Sequence, residues 1–405
     1  MEVVSCVDRM ETIPVVTTGT RWPTLHEPTR ADEYFERFPE SKADPLRNDY
    51  GSVHTFPEPF AKGGGFFPVL LLMDDGSLCC ASRTGSPHAG SGGEISLSFS
   101  KDKGTSWTAY RAVVRGDPER QLDLRNPALG QAKNGHLVLA YGVMEGIDVK
   151  GHTATPDPFR SIEVIRSRDG GNTWSDPLTL PYPEEDLRLH PHGQMRRLAD
   201  GDLVFNARGY YTQERYAKNP ELPERMSYLY WSADDGGSWD KTTLVKAGGS
   251  ETGFLQLDEE HWVAIVRFND RPNQFAHSFD GGTTWTRWDP TVEGAGRRHA
   301  ESRSMPASPG SIAALPNGTV LATYGYRGYP FGVRAVVGRD GGVTFDTDRE
   351  YILNDTAYHC DCGYPSTVCF DDGTIVTAAY SLLDIAHQAW GTCCLAMRYQ
   401  QSIFD

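Results

Sequence analysis

Short apolar segments that flank Asp-Gly or Asn-Gly turns recur along the chain. Six such segments can be read: PVLLLMDDGSLCCASR, PALGQAKNGHLVLAYG, GQMRRLADGDLVFNAR, GFLQLDEEHWVAIVR, SIAALPNGTVLATYGYR and YPSTVCFDDGTIVTAAYS. Asp-Gly or Asn-Gly between β-rich runs is a strong hairpin signal, because the tight turn needs positive φ angles. The pattern therefore predicts six β-hairpins, of which the fourth has lost its Gly turn and is the least regular.

A second repeat, S-x-D-x-G-x-x-W, alternates with the hairpins. Its copies are Ser100–Trp107, Ser167–Trp174, Ser232–Trp239 and Ser278–Trp285, with a degenerate fifth copy at Gly338–Phe345. The Asp residues of successive copies are 67, 65, 46 and 60 residues apart, which is the size of a four-stranded blade with variable loops. The residue types indicate a structural turn: Asp and Ser cap it, Gly permits its backbone, and Trp packs between sheets.

Together the two repeats predict an all-β fold, a single six-bladed β-propeller domain spanning residues 1–405. No long helical period interrupts the series. The last unit ends at TCCLAMRYQQSIF and is one strand short of a complete blade. We expect the N-terminal stretch IPVVTT to supply that strand and to close the ring.

Composition narrows the classes of partner. The 405 residues include 39 Lys and Arg against 54 Asp and Glu, a net charge of −15. This balance disfavours nucleic acid or an anionic membrane as the partner, and no apolar run of about 18 residues predicts a membrane-spanning helix. The start, MEVVSCVDRMETIPVV, lacks the pattern of a signal peptide. The expectation is a cytoplasmic protein, or a secreted one if a leader has been removed; the oligomeric state stays open.

The cysteines do not have the spacing of a metal site. The eight Cys include the adjacent pairs Cys79–Cys80 and Cys393–Cys394, together with Cys360 and Cys362 in HCDCG. Adjacent residues in a strand point to opposite faces, so neither pair can chelate one metal comfortably. Because no C-x-x-C is present either, we predict no metal and no cofactor. Reduced, buried thiols are expected, with a disulfide between the first and last repeats as the alternative.

Blade topology predicts which residues meet at one mouth of the propeller. Side chains that begin a first strand, end a second strand or begin a third strand converge at the face opposite the turns. The starts of first strands are Phe66–Phe67, Arg125–Asn126, His190–His192, Glu251, Met305–Pro306 and Tyr364. Second strands end at Arg83, Arg208, Arg267 and Arg327, and Arg334 precedes the third strand of the fifth blade. Six arginines at one mouth predict binding of an anion such as an acidic sugar, unless rim carboxylates neutralise them.

These repeats resemble the sialidase (neuraminidase) superfamily, whose members carry Asp-box turns on a six-bladed propeller. The resemblance extends from about Gly64 to Tyr380. In ETGFLQLDEEHWVAIVR it places a catalytic carboxylate at Glu251 and a carboxylate-binding arginine at Arg267. FGVRAVVGRDGG is similar to the segment of a further family arginine and implies that role for Arg334, while GYPSTVCFDDG implies that Tyr364 is the nucleophile.

The implied chemistry is coherent, although two family features are missing. A phenol has a pKa near 10, so Tyr364 needs a base such as Glu251 to become nucleophilic. The family's F-R-I-P stretch corresponds here to Gly65-Phe66-Phe67-Pro68, which has no arginine and leaves Arg83 as a candidate replacement. The loop at 83–94, where the resemblance places an acidic Asp, contains only His88 and Glu94 as candidates for the general acid.

Three functions are compatible with these residues. The first hypothesis is an exo-acting, sialidase-like glycoside hydrolase that removes a terminal acidic sugar, sialic-acid-like or uronate-linked, with His88 as candidate acid. The alternative is a propeller polysaccharide lyase that cleaves next to a uronate by β-elimination, with His192 and Tyr364 as the proton-transfer pair. The third is a carbohydrate-binding propeller without catalytic activity.

Overall fold

Strands account for nearly all regular structure in the chain. The computed structural model describes residues 2–16, 65–86, 88–149, 151–269, 271–285, 287–289, 307–328, 330–357, 361–381 and 392–405. In chain order the strands are β1 Glu2–Ser5, β2 Glu11–Val16, β3 Phe66–Leu72, β4 Leu78–Thr84, β5 Glu94–Ser100, β6 Arg111–Arg115, β7 Leu122–Gln131, β8 Leu137–Glu145, β9 Phe159–Ser167, β10 Leu178–Thr179, β11 Leu187–Arg197, β12 Leu203–Tyr211, β13 Met226–Ser232, β14 Lys241–Ala247, β15 Thr252–Gln256, β16 Trp262–Val266, β17 Gln274–Ser278, β18 Arg287–Asp289, β19 Gly310–Ala314, β20 Val320–Tyr326, β21 Phe331–Gly338, β22 Arg349–Ala357, β23 Cys362–Cys369, β24 Thr374–Ser381 and β25 Cys393–Gln400. A short helix, α1, spans Gln213–Lys218, and 3-10 turns span Val7–Arg9 and Gln401–Phe404.

The described strands form six antiparallel blades of four strands each. They are β3–β6, β7–β10, β11–β14, β15–β18, β19–β22, and β23–β25 completed by β2. The first strand of each blade contacts the first strand of the next, and β23 contacts β3. The blades therefore form a closed ring, numbered here one to six in chain order. A short parallel pairing of β7 with β11 joins the second and third blades into one eight-stranded sheet, and β1 extends the fifth blade. The predicted all-β propeller is confirmed.

The N-terminal segment lies on the outer edges of the last two blades. β2 pairs antiparallel with β25, with Glu11 opposite Arg398 and Val16 opposite Cys394. β1 pairs in parallel with β22, at the outer edge of the fifth blade. One stretch of chain thus adds a fifth strand to one blade and supplies the outer strand of its neighbour.

Most strands are apolar on both faces because each blade packs between two others. In the third blade the Phe205 ring stacks on Tyr230, with centroids 5.4 Å apart, and meets Trp239 edge-on at 4.9 Å. All three side chains are almost completely buried. Trp239 is the final residue of the third Asp-box turn, so the turn motif contributes directly to the packing of the blade.

Each complete Asp-box turn is held by the same hydrogen bonds. In the second copy, Asp169 Oδ1 accepts from the Ser167 hydroxyl and the Thr173 backbone N–H, both at 2.8 Å. The Thr173 hydroxyl donates to Asp169 Oδ2 at 2.7 Å. The equivalent carboxylates Asp102, Asp234 and Asp280 accept the corresponding bonds. The carboxylates are therefore used in capping turns between third and fourth strands, away from the mouth where the candidate chemistry lies.

These turns predict a loss of stability in acid. Hydrogen bonds from neighbouring hydroxyl and backbone N–H groups hold the pKa of Asp102 and Asp169 at about 2. Because this folded-state value is depressed, the stabilisation is present above the unfolded value of about 4 and disappears as the pH falls through about 2. As the pH falls from about 4 to about 2, we expect the melting temperature of wild type to decrease more steeply than the melting temperature of the Asp102→Asn/Asp169→Asn variant. If the melting temperatures of the two proteins decreased equally with falling pH, the result would contradict this account.

Two further observations concern the described residues alone. Their helices are too short to cross a lipid bilayer, and their His, Cys, Asp and Glu side chains form no group of three that could hold a metal ion. The seven described cysteines are free thiols, which leaves the alternative disulfide between first and last repeats without support there. Cys360 lies outside the described residues.

Candidate active site

Three inner strands contain the same unusual backbone conformation. Phe67, Asn126 and Tyr364 have φ angles of 52°, 51° and 51°, and each is followed by proline. A residue before proline normally adopts an extended conformation, so these left-handed positions are strained. The pairing register shifts at the same places, between Phe66 and Val69, Arg125 and Ala128, and Gly363 and Ser366. Bulges of this kind change the direction of a side chain.

At the sixth-blade position, Tyr364 meets a carboxylate from across the ring. Its hydroxyl donates a hydrogen bond to Glu251 Oε1 at 2.7 Å. Glu251 immediately precedes β15 in the fourth blade and is completely buried. The Tyr364 ring also packs against Phe67 and His192, at centroid distances of 4.8 and 5.7 Å. The predicted meeting of Tyr364 and Glu251 is confirmed, while their catalytic roles stay predictions.

Two arginines neutralise Glu251. Arg208 Nη2 and Arg267 Nη1 lie 3.0 and 3.1 Å from Glu251 Oε1. Burial by itself would raise the pKa of Glu251, but the charges of Arg208 and Arg267 outweigh burial and hold that pKa well below its usual range. Glu251 is therefore an ionised carboxylate at neutral pH. It accepts the Tyr364 proton in a hydrogen bond, and the same two positive charges would stabilise a developing phenolate.

His88 pairs with an aspartate that begins the sixth blade. His88 Nδ1 lies 2.9 Å from Asp361 Oδ2. The Tyr380 hydroxyl donates to Asp361 Oδ1, and Arg327 Nη2 is 3.9 Å from the same oxygen. The His88 ring meets Phe67 edge-on at 5.1 Å, which places it one aromatic ring away from Tyr364. Burial lowers the pKa of His88, and the neighbouring Asp361 opposes that effect without cancelling it.

The two histidines of the third inner strand are buried. Burial is the largest cause that lowers the pKa of His192, to about 4, with Glu251 opposing it and Arg208 adding to it. The pKa of His190 is well below its usual range for the same main reason. His190 stacks on Phe159 with centroids 4.2 Å apart. Both imidazoles are therefore neutral at pH 7.

The prediction that Arg83 contacts substrate is wrong. Arg83 is completely buried, and its Nη2 lies 2.7 Å from Asp123 Oδ1. Its Nε and Nη1 donate to the carbonyl oxygens of Leu124 and Ser86, at 3.1 and 3.0 Å. These bonds tie the first blade to the second and fix the loop after β4. The sequence rule failed here because it locates the end of a strand but cannot identify a partner 40 residues away.

Arg334 does not precede the third strand of the fifth blade, as predicted, but lies within it, as the fourth residue of β21. Arg334 Nη1 donates to the buried Glu350 at 2.9 Å, and its guanidinium carbon lies 3.5 Å from the Tyr326 ring centroid. Arg327 is the other fifth-blade arginine. Arg125, in the second blade, lies 5.4 Å from the Phe67 ring centroid. Glu94, the alternative acid, pairs with Arg115 at 2.9 Å, and Met305 and Pro306 lie outside the described residues.

Three residues of this neighbourhood were missed by sequence reasoning. Asp361 lies in HCDCG, a stretch whose spacing draws attention to its cysteines and not to the aspartate between them. Tyr380 lies at the end of β24, near the mouth. Its sequence context does not distinguish it from a core tyrosine. Arg225 directly precedes β13; the rule about starts of third strands, which nominated Arg334, would also have found Arg225.

Comparisons with known proteins agree with this architecture. Residues 74–382 match the model of the BNR repeat-like domain family. A sialidase of Paraclostridium sordellii is 24% identical over 253 residues, which cover 55% of this chain and 57% of that protein. The chain thus spans little more than half the length of this curated relative.

Solved structures show the same fold. A protein of unknown function from Dyadobacter fermentans superposes with a TM-score of 0.66 and 22% identity, covering 84% of this chain and 95% of that one. A Hadza microbial sialidase gives a TM-score of 0.64 and 18% identity, over 84% and 66% of the two chains. At these identities the likeness establishes the fold alone. From its repeats, blade order and family match, the chain belongs to the BNR repeat-like domain family.

Proposed function

We propose that the protein is an exo-acting glycoside hydrolase of sialidase type that removes a terminal acidic sugar from a glycan. The observation that carries the proposal is the hydrogen bond from Tyr364 to the ionised, completely buried Glu251. A buried phenol–carboxylate pair is costly to assemble unless it is compensated, here by Arg208 and Arg267. Such a pair is suited to nucleophilic catalysis, because the carboxylate takes the proton as the phenol oxygen attacks.

The reaction would proceed in two displacements. In the first, Tyr364 Oη forms a bond to the anomeric carbon, its proton passes to Glu251, and the glycosidic bond breaks with proton transfer to the departing oxygen. In the second, water attacks the anomeric carbon and gives a proton to the acid that was deprotonated in the first step, the bond to tyrosine breaks, and Glu251 returns its proton to the phenolate. The configuration of the sugar is retained, as it is for glycosidases with a covalent intermediate.

His88 is the proposed donor of the proton to the departing oxygen. It lies in the first-blade loop on the same side as Tyr364, and Asp361 holds its Nδ1 at 2.9 Å. A carboxylate hydrogen-bonded to Nδ1 fixes the tautomer and the orientation of an imidazole, and it leaves Nε2 as the nitrogen that exchanges a proton with the substrate. Asp361 is in this scheme a positioning residue, itself fixed by Tyr380.

This role predicts that the effect of removing His88 depends on the leaving group. His88→Gln should slow cleavage of a natural glycan by ~100-fold, a typical value for general acid catalysis, and should slow cleavage of a nitrophenyl glycoside of the same sugar much less. Since burial lowers the pKa of His88, wild-type activity should fall as the pH rises through a value below that of an ordinary histidine. The variant should lose this limb of the pH profile. Equal losses on both substrates would exclude His88 as the acid.

The proposed function is tested by incubating the protein with a panel of acidic oligosaccharides and identifying the products by mass spectrometry. Hydrolysis gives a saturated monosaccharide, and rapid quenching should give a glycosyl adduct on the Tyr364 peptide. The absence of any released sugar across sialylated and uronate-containing glycans would contradict the proposal.

One observation favours a lyase as the second candidate. His192 is neutral at pH 7 and its ring packs on Tyr364, an arrangement that could abstract a proton next to a uronate carboxylate and protonate the leaving oxygen. β-Elimination leaves a carbon–carbon double bond in the product. An unsaturated uronate in the same product analysis would therefore identify the lyase and reject the hydrolase.

A further inference from the structure

We propose that a small oxyanion with the chemistry of inorganic phosphate or sulfate binds at Arg196, in the axial channel of the propeller. The site lies on the face opposite the mouth, where the hairpin turns follow the inner strands. It shares no residue with the proposed active site and does not depend on the proposed function.

A cavity of about 340 Å³ lies on the propeller axis. All six inner strands contribute to its wall, through residues at or near their C-terminal ends: Leu72, Gln131, Arg196, Leu255, Ala314 and Cys369. Since the first strand of each blade runs from the mouth to its hairpin turn, this cavity occupies the turn end of the channel. Its volume is about ten times the ~30 Å³ that one water molecule occupies in the liquid, so a hydrated tetrahedral oxyanion fits.

Two polar side chains of the third blade cross the axis in this channel. Gln194 Nε2 donates to the carbonyl oxygens of Leu70 in the first blade and Thr367 in the sixth, at 3.0 and 3.1 Å. Arg196 Nη2 donates to Gln194 Oε1 at 2.8 Å and to the Ile312 carbonyl oxygen of the fifth blade. One end of the guanidinium is thereby fixed, and the rest of the group is held in place beside the cavity.

Arg196 retains both charge and hydrogen-bonding capacity. Its Nε and Nη1 carry three N–H donors that make no hydrogen bond with a described residue. Among the described residues that line the cavity, the one carboxylate is that of Asp74. Arg197 Nη1 and Nη2 hold its two oxygens at 3.0 and 2.6 Å. Two arginines thus face one aspartate, and the charge of Arg196 is left without a described counter-ion.

The chemistry of a guanidinium favours an oxyanion as the counter-ion. Burial lowers the pKa of Arg196 to about 10, and no carboxylate opposes this effect, so the group is still charged at neutral pH. A charge in the protein interior is stabilised by a partner that supplies opposite charge and hydrogen-bond acceptors together. Phosphate and sulfate oxygens supply both, in the charge-assisted hydrogen bonds that arginine makes with such groups.

An anion at this position would stabilise the ring of blades. Gln194 and Arg196 connect the third blade to the first, fifth and sixth across the axis. Neutralising the guanidinium removes the cost of an uncompensated charge from the side chains that make these connections. Because the site needs all six inner strands, the anion would bind the folded ring and not the unfolded chain, and would raise the melting temperature by mass action.

The test is titration calorimetry of inorganic phosphate into the full-length protein at constant ionic strength, with sulfate and chloride titrated in the same way. Arg196→Gln removes the charge in the channel, and Arg208→Gln removes an arginine of the mouth instead. Arg120→Gln, at an exposed arginine in the loop before β7, is the matched control. Melting temperatures with and without phosphate are measured for each protein.

We expect wild type, Arg208→Gln and Arg120→Gln to bind phosphate or sulfate, and Arg196→Gln to bind it at least ~10-fold more weakly, as for a lost hydrogen bond to a charged group. If the mouth binds phosphate as well, Arg196→Gln should have one binding site fewer than wild type. Phosphate should raise the melting temperature of wild type more than that of Arg196→Gln. The inference is overturned if wild type binds neither oxyanion, if chloride binds more tightly than both, or if Arg208→Gln loses the binding that Arg196→Gln keeps.

A second measurement needs no variant, in case Arg196→Gln does not fold. Crystals of wild type are soaked in selenate, which has the shape and charge of sulfate, and selenium is located by its anomalous scattering. A selenium peak beside the Arg196 guanidinium supports the inference. Selenium at the mouth alone, or at no site in the protein, overturns it.

Discussion

Replacing Tyr364 by phenylalanine is expected to lower turnover at least ~100-fold while the propeller remains folded. The substitution removes only the hydroxyl that donates to Glu251. The ring keeps its contacts with Phe67 and His192, so packing at the start of β23 is preserved. The change should be measured as kcat on the glycan that wild type cleaves, together with the melting temperature.

A matched control is available in the third blade. Tyr230 is also buried and donates its hydroxyl to a backbone carbonyl oxygen, that of Pro181, at 2.9 Å. Tyr230→Phe removes one buried hydroxyl far from the mouth, so it should cost about 1 kcal/mol of stability and leave kcat unchanged. Full activity of Tyr364→Phe would exclude this tyrosine both as nucleophile and as the acid of a lyase.

The largest effect on stability is expected at Arg83. Arg83→Met leaves Asp123 as an uncompensated charge in a completely buried site, which typically costs about 3–5 kcal/mol in free energy of unfolding. Arg115→Met breaks a pair in which the arginine is 65% exposed, and such surface pairs contribute about 0–1 kcal/mol. Denaturant unfolding of the two variants gives the comparison. If both variants unfold at the same denaturant concentration as wild type, the buried pair does not stabilise the junction of the first two blades.

The sequence was sufficient for the fold because the turn residues repeat. Each Asp-Gly or Asn-Gly hairpin and each Asp-box turn depends on local backbone chemistry, so neighbouring residues alone identify it. The meeting of Glu251 with Tyr364 could be predicted once the blade order was known, since both begin inner strands. What could not be predicted was the partner of each charge. Arg83 with Asp123, and His88 with Asp361, are pairs of residues distant in sequence, and no local pattern marks them.

The position of the N-terminal segment has a consequence for how the protein acquires its activity. The proposed machinery combines the first blade (His88), the fourth (Glu251) and the sixth (Asp361 and Tyr364). The sixth blade needs β2, which is separated from its partner β25 by nearly the whole chain. Such long-range pairing carries a large loop-closure entropy and is slow to form. A partly folded intermediate with five finished blades would therefore be inactive, and recovery of activity during refolding would follow the rate of ring closure.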